Sequence, residues 1–169
     1  MIAESQITTQ ALTLKLNDRG PAVRVLQEQI NRRFLKFDLS SLVTVAADGV
    51  FGPQTLNAVK YLQCIAGLTV DGIVGPQTLS FIEYGVEGLP VLTRGSTDSS
   101  VRAVQDTILR SRISIQVDGI FGPDTEAKLK RFQTVFSITP DGIVGPKTWE
   151  SVVQVRLGSP PCAPLLPTD

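Results

Sequence analysis

The 169-residue chain contains no histidine. Hydrolytic triads use imidazole as the proton shuttle, and the zinc centres of peptidases draw their ligands from it, so neither can be assembled here. Charge of one sign is lacking too: sixteen basic residues meet sixteen acidic ones. No net field gathers nucleic acid or coats a membrane surface. No apolar run approaches the ~20 residues that cross a bilayer. Aromatic residues make up 6%, with one Trp and two Tyr, too few for a carbohydrate module that works by stacking alone. There are two cysteines, Cys64 in a helical pattern and Cys162 in a Pro-rich segment. A disulfide between them is one option in an oxidising compartment, but a buried or idle thiol is the favoured reading. Neither has a base beside it, so neither reads as a nucleophile.

What is present is repetition. The pattern Asp-Gly-x-(Phe/Val)-Gly-Pro-x-Thr occurs at Asp48 to Thr55, Asp71 to Thr78, Asp118 to Thr125 and Asp141 to Thr148. The second of each pair begins 23 positions after the first (71 − 48 and 141 − 118), and the pairs lie 70 apart (118 − 48). One unit is therefore built twice. Asp-Gly favours a turn, because the carboxylate accepts from nearby backbone and Gly reaches positive φ freely. The apolar pair that follows, Val50-Phe51 or Ile73-Val74, is expected to enter the core. Gly52, Gly75, Gly122 and Gly145 then serve as helix N-caps, with the following Pro at the first helical position.

Apolar spacing places a helix after each loop: Leu56, Val59, Leu62, Ile65 and Ala66; Leu79, Ile82 and Val86; Leu129, Phe132, Val135 and Phe136; Trp149, Val152, Val153 and Leu157. A further helix precedes each pair, through Val23, Leu26 and Ile30 or Val101, Val104 and Ile108, each approached through an Arg-Gly pair at Arg19-Gly20 or Arg94-Gly95. The expected fold is all-α: two tandem three-helix bundles with structured Asp-Gly loops, packed on each other. Units of this size bury only ~60% of their unfolded surface and are marginal alone. Glu83 to Thr93 is a short connection. Gln27 and Asp48 are 21 apart while Gln105 and Asp118 are 13 apart, so the first copy carries an insertion around Phe37 to Thr44, which loop entropy tolerates. The units run 14–88 and 89–157, with tails at 1–13 and 158–169. Identity between copies covers about half of the positions from Asp48 to Leu79 and concentrates in the loops.

Gly20, Val23, Arg24, Leu26 and Gln27, the loop at Asp48, Leu62-Gln63 and the loop at Asp71 together resemble the small three-helix peptidoglycan-binding domain found on bacterial cell-wall enzymes. The second copy repeats the match. It departs where Ser96 to Ser100 lengthen the approach after Gly95, and at Ser137-Ile138 in place of Gly67-Leu68. The resemblance implies a non-catalytic protein that binds peptidoglycan, through its glycan or its stem peptide, with a cell-wall hydrolase as an expected companion. It implies no cofactor and no metal, neither nucleic acid nor membrane as partner, a monomer, and a place in the cell envelope or outside the cell. Met1 to Leu14 has neither a basic start nor an apolar run and does not read as a secretory signal, so a signal removed earlier, export by another route and a place in the cytoplasm all stay open.

The candidate residues divide by role. Asp48, Asp71, Asp118 and Asp141 read as turn caps, since calcium loops need alternating oxygen donors that the neighbours lack. Gln27, Gln63, Gln105 and Gln133 each follow an apolar core position, where their amides could satisfy the loops. The functional alternative is that these glutamines, with Arg24, Tyr61, Arg102 and Arg131, line a groove and donate to a stem peptide or to sugar hydroxyls. Trp149 is expected in the core. A carboxylate pair of glycosidase type could be drawn from Glu28, Glu83, Glu87, Glu126 and Glu150, yet none recurs in both copies. The rival function is a protein-interaction or inhibitory module acting on a zinc peptidase: the architecture is similar to the pro-domain of matrix metalloproteinases, in which a cysteine meets the catalytic zinc, and Cys162 would be that cysteine.

Overall fold

The computed structural model describes residues 13–39, 44–157 and 162. They form six α-helices in two sets of three: α1 (Pro21–Lys36), α2 (Pro53–Ile65) and α3 (Pro76–Tyr84), then α4 (Ser99–Arg110), α5 (Pro123–Val135) and α6 (Pro146–Arg156). A 3₁₀ turn, Gly85–Gly88, leads from the first set to the second. Five of the six helices open on a Gly-Pro pair, α1 at Gly20-Pro21 and four at the Asp-Gly loops. Gly52, Gly75, Gly122 and Gly145 are extended N-caps followed by Pro, whose missing N–H costs nothing in a first turn.

Among the described residues there is no strand, only four antiparallel bridges: Leu14 with Val74, Arg19 with Val50, Leu92 with Val144 and Thr97 with Ile120. Each bridge draws the lead-in of the first helix across the two Asp-Gly loops. Extended backbone alternates its side chains, so only the second residue of each apolar pair is buried. Phe51, Val74, Phe121 and Val144 lie inside, whereas Ile73, Ile120 and Ile143 stay exposed and Val50 is half-buried. The expectation that both would enter the core is corrected accordingly.

The bridges also correct the alignment of the lead-ins. Leu14 and Leu92 are 78 apart, as are Arg19 and Thr97 (97 − 19), so Gly95 matches Asn17 and not Gly20. Asn17 and Gly95 both adopt positive φ, and donate to the carbonyls of Phe51 and Phe121. Copy two has no lengthened approach. Asp98 stands where copy one has Gly20, and its carboxylate caps α4 by accepting from the Val101 N–H at 3.0 Å. The insertion in copy one extends α1 to 16 residues against 12 in α4. Its remainder partly falls on 40–43, outside the described residues, after which Val45 returns to α1 by exchanging two hydrogen bonds with the Asn31 amide.

The buried apolar residues of both sets form one continuous cluster. The difference between α2 and α5 shows where the sets meet. On α5 the buried apolar residues are Leu129 and Phe132, while α2 buries Ala58, Val59, Tyr61, Leu62, Cys64 and Ile65. α2 packs against α6 of the second set, so the flank that is wet on α5 is dry on α2. On α3, Phe81 and Ile82 make the buried face while Leu79 is half-buried. Trp149 is fully buried, and its indole N–H donates to the Pro90 carbonyl at 2.8 Å.

Candidate functional site

Each Asp-Gly loop is closed by one glutamine, and the four closures are the same. The Gln105 amide nitrogen donates to Asp118 Oδ1 at 2.8 Å, the Ile120 carbonyl at 3.1 Å and Thr125 Oγ1 at 3.0 Å, while its oxygen accepts from the Gly119 N–H at 2.8 Å. Gln27, Gln63 and Gln133 make the matching contacts with the loops at Asp48, Asp71 and Asp141. Each loop carboxylate also accepts from the N–H two residues on. The N–H of Val50 first, then the Gln27 amide, holds the Asp48 carboxyl below the usual range, and Ile120 and Gln105 do so for Asp118. The Asp, the Thr and the distant Gln thus form one hydrogen-bonded unit.

That arrangement bears on the eight residues expected to line a groove. The four glutamines are buried with their amides engaged by the loops, out of direct reach of a ligand. Tyr61 is buried as well, its ring 6.3 Å from that of Phe34. It aligns with the exposed Arg131, and the packing of α2 against the second set is what buries it. Arg24, Arg102 and Arg131 remain at the surface. Arg24 pairs with Glu28 at 3.4 Å, and Arg102 donates to the Val117 carbonyl at 3.2 Å. The structure gathers no common groove from the eight.

Open concavities lie instead where the two sets of helices meet. One hollow of about 300 Å³ has Gly67 and Leu68 on one wall and Ser99, Arg102, Asp106 and Arg156 on the other. Arg156 is only 7% exposed. Its Nε donates to the Cys64 carbonyl at 2.9 Å, and its Nη1 lies 3.4 Å from both the Ala103 carbonyl and Asp106 Oδ2. Burial depresses the Arg156 pKa, Asp106 opposes that and Arg110 adds to it. A smaller hollow of about 170 Å³ on the other flank of α6 brings Phe37, Tyr84, Glu150 and Gln154 together. Tyr84 there is 61% exposed. Sequence reasoning missed both hollows, because their walls come from different copies and no repeat pattern relates them.

Cys64 and Cys162 are joined as a disulfide, with Cα atoms 5.6 Å apart. This overturns the expectation of an idle thiol. It also leaves Cys162 bonded and buried, without the free thiolate that the inhibitory reading needs.

The profile of the family described as "Putative peptidoglycan binding domain" matches twice, at residues 19–82 and 97–152. The chain belongs to this peptidoglycan-binding family. Its two matched segments coincide with the two sets of helices. An uncharacterized protein of Kitasatospora aureofaciens is 42% identical over 62 residues, 36% of this chain and 52% of that one. A zinc D-Ala-D-Ala carboxypeptidase of Streptomyces albus G is 34% identical over 68 residues, 38% of this chain and 27% of the enzyme. The uncharacterized protein FadG of Bacillus subtilis is 24% identical over 149 residues, 86% of this chain and 25% of its own. The peptidoglycan-binding chain thus spans about half or less of the length of these curated relatives. Among solved structures, a Burkholderia AP3 phage endolysin aligns with a TM-score of 0.39 and 22% identity over 90% of this chain and 64% of that one, too distant to carry an argument.

Proposed function

We propose that this protein holds bacterial peptidoglycan without cleaving it. The observation that carries the reading is the double match to the peptidoglycan-binding family, each copy with both loops clasped by buried glutamines. Two modules on one packed body meet a polymeric ligand at two points, and a second contact on the same strand can raise apparent affinity by about 10² to 10⁴. In this reading the units run 14–88 and 89–157, and the chain acts as a monomer.

Arg24, Arg102 and Arg131 supply exposed donors to the wall, whereas the glutamines act by holding the loops. Tyr84, beside Glu150 and Gln154, offers an aromatic face with polar neighbours of the kind that sugars meet. The disulfide favours an oxidising compartment, hence the cell envelope or the exterior. A cell-wall hydrolase is the companion suggested by the carboxypeptidase relative, in which this module accounts for a quarter of the length. The absence of histidine argues against hydrolysis by the chain itself.

The test is sedimentation with purified insoluble sacculi. The chain should pellet with the wall and release no soluble muropeptides. Recovery in the supernatant would refute binding, and release of soluble fragments would refute the non-catalytic assignment.

A further inference from the structure

We propose that the hollow between the two repeats is an anion site that takes a free carboxylate of the wall's stem peptide. The proposal rests on the peptidoglycan reading and names the chemical group recognised at one place on the molecule.

Asp106 Oδ2 receives Arg110 Nε at 2.8 Å and Arg156 Nη1 at 3.4 Å. Arg102, on the same wall, has a neutral carbonyl as its acceptor. Asp118 lies close enough to feel the Arg102 charge, so three guanidinium groups stand against two carboxylates. The nearby Asp98 is committed to capping α4. Arg156 is the most demanding of the three, because it is buried and its Nη groups, unlike the Nε on the Cys64 carbonyl at 2.9 Å, are loosely held. Both Nη1 contacts are at 3.4 Å, and Nη2 reaches the Cys64 sulfur at 3.8 Å, a weak acceptor. A buried cation with incomplete neutralisation is costly, and a planar carboxylate is the group that guanidinium forks match best. The volume of about 300 Å³ suits the end of a peptide and falls at the lower limit of small-ligand pockets.

Copy one has no counterpart of the buried arginine. At the positions 78 earlier, Arg24 pairs with Glu28 and Arg32 donates to the Glu28 carbonyl, while 70 positions before Arg156, in the register of the loops, stands Val86. The guanidinium groups all belong to the second repeat, but the hollow that presents them exists only where that repeat packs on the first, whose Gly67 and Leu68 form the facing wall. The site is thus a product of duplication, absent from either repeat by itself.

The experiment compares two soluble probes on the full-length chain by titration calorimetry: a disaccharide-tetrapeptide with free carboxylates, and the same compound with those groups converted to carboxamides. The carboxylate form should bind about tenfold more tightly, the scale of one charge-assisted hydrogen bond. Arg102→Ala, an exposed change, should abolish that preference, and Arg24→Ala should leave it intact whatever it does to overall affinity. Equal affinity of wild type for the two probes would overturn the proposal without recourse to any variant, as would loss of the preference in Arg24→Ala. Sacculi stripped of phosphate polymers should retain the protein; release on stripping would assign the site to phosphate and overturn the peptide carboxylate. Should the wild type ignore sacculi altogether, the peptidoglycan reading fails. If it binds them yet is indifferent to carboxylate, only this inference falls.

Discussion

Gly67 of the first repeat and Ala103 of the second are in direct apposition: a Cβ added to Gly67 would lie 2.6 Å from that of Ala103. Gly67 also has φ +71, where an L side chain costs about 1–2 kcal/mol. Gly67→Ala should therefore destabilise the fold by more than about 2 kcal/mol in urea denaturation, steric overlap adding to backbone strain. Combining it with Ala103→Gly should recover the overlap component and leave the strain. A double-mutant cycle with no coupling would mean that the two surfaces separate freely.

Ser137 occupies the same place in the second repeat as Gly67 in the first. Its φ is +57, and Ile138 donates to the Gln133 carbonyl as Leu68 does to that of Gln63. The substitution in sequence thus leaves the helix end unchanged and installs strain. Ser137→Gly should stabilise the protein by about 0.5–1 kcal/mol, the strain relieved less the added freedom of the unfolded chain. A lowered urea midpoint would show that the serine is held by something stronger than its backbone cost.

The loops and the helices they open were legible because local chemistry writes them. Asp-Gly, Gly-Pro and the recurring glutamine each act within a repeat, and the repeat shows them four times. The contact between repeats was not legible. Tyr61 aligns with Arg131, and Cys64 with Thr134, so matching positions carry opposite signals, and only the packing of α2 on α6 explains which one is buried. Arg156 reads from sequence as an ordinary basic residue at a helix end. The lead-ins misled for another reason: Arg-Gly at 19–20 and at 94–95 is a coincidence of letters, while the backbone pairs Asn17 with Gly95 through positive φ. The glutamines left two readings open, because an amide at the edge of a core can face either way, and here all four face the loops.

The clasp predicts where the loops are most sensitive. Gln105→Leu would leave the Gly119 N–H without its buried partner and reduce the Ile120 carbonyl and Thr125 Oγ1 to the bond they make with each other. Orphaned buried polar groups cost about 1–3 kcal/mol each, softened by water entry, so a loss of about 2–4 kcal/mol is expected by urea denaturation. Thr125→Val removes one member and should cost about 1 kcal/mol. If Gln105→Leu proved nearly neutral, the loops would owe their shape to the turn residues alone.

Acid should loosen these loops. The Asp48 and Asp118 carboxyls are held low by the N–H groups of Val50 and Ile120 and then by the glutamine amides, and Glu126 is held low by Lys130 and then Arg94. A folded-state pKa below the unfolded one adds stability above the unfolded value, and that stability is lost as pH falls through the folded one. Unfolded carboxyls titrate near about 4, so the urea midpoint should be level from neutrality to about pH 5 and decline below about pH 4. Asp118→Asn, which keeps an acceptor oxygen, should flatten that limb. An unchanged decline in this variant would place the acid sensitivity elsewhere.

The disulfide and Arg156 fasten the same place by different means, which allows their contributions to be separated. Cys162 returns across 98 positions to Cys64, and a closed loop of about that length can stabilise by up to about 4.7 kcal/mol through the entropy it removes from the unfolded chain. Arg156 and Trp149 already anchor α6 to the first repeat and the connection that follows it, through the Cys64 and Pro90 carbonyls, so reduction should weaken the protein without parting the repeats. Cys162→Ser should lower stability by about 2–4 kcal/mol, and reductant should bring wild type to the same value while sedimentation with sacculi persists at room temperature. Arg156→Leu, by contrast, removes the buried hydrogen bond to the Cys64 carbonyl while the sulfur bridge stays, and should disturb the near-ultraviolet signal of Trp149 even in the oxidised chain. If reductant alone abolished that tryptophan signal, the sulfur bridge would be the principal fastening between repeats and the buried arginine a minor one.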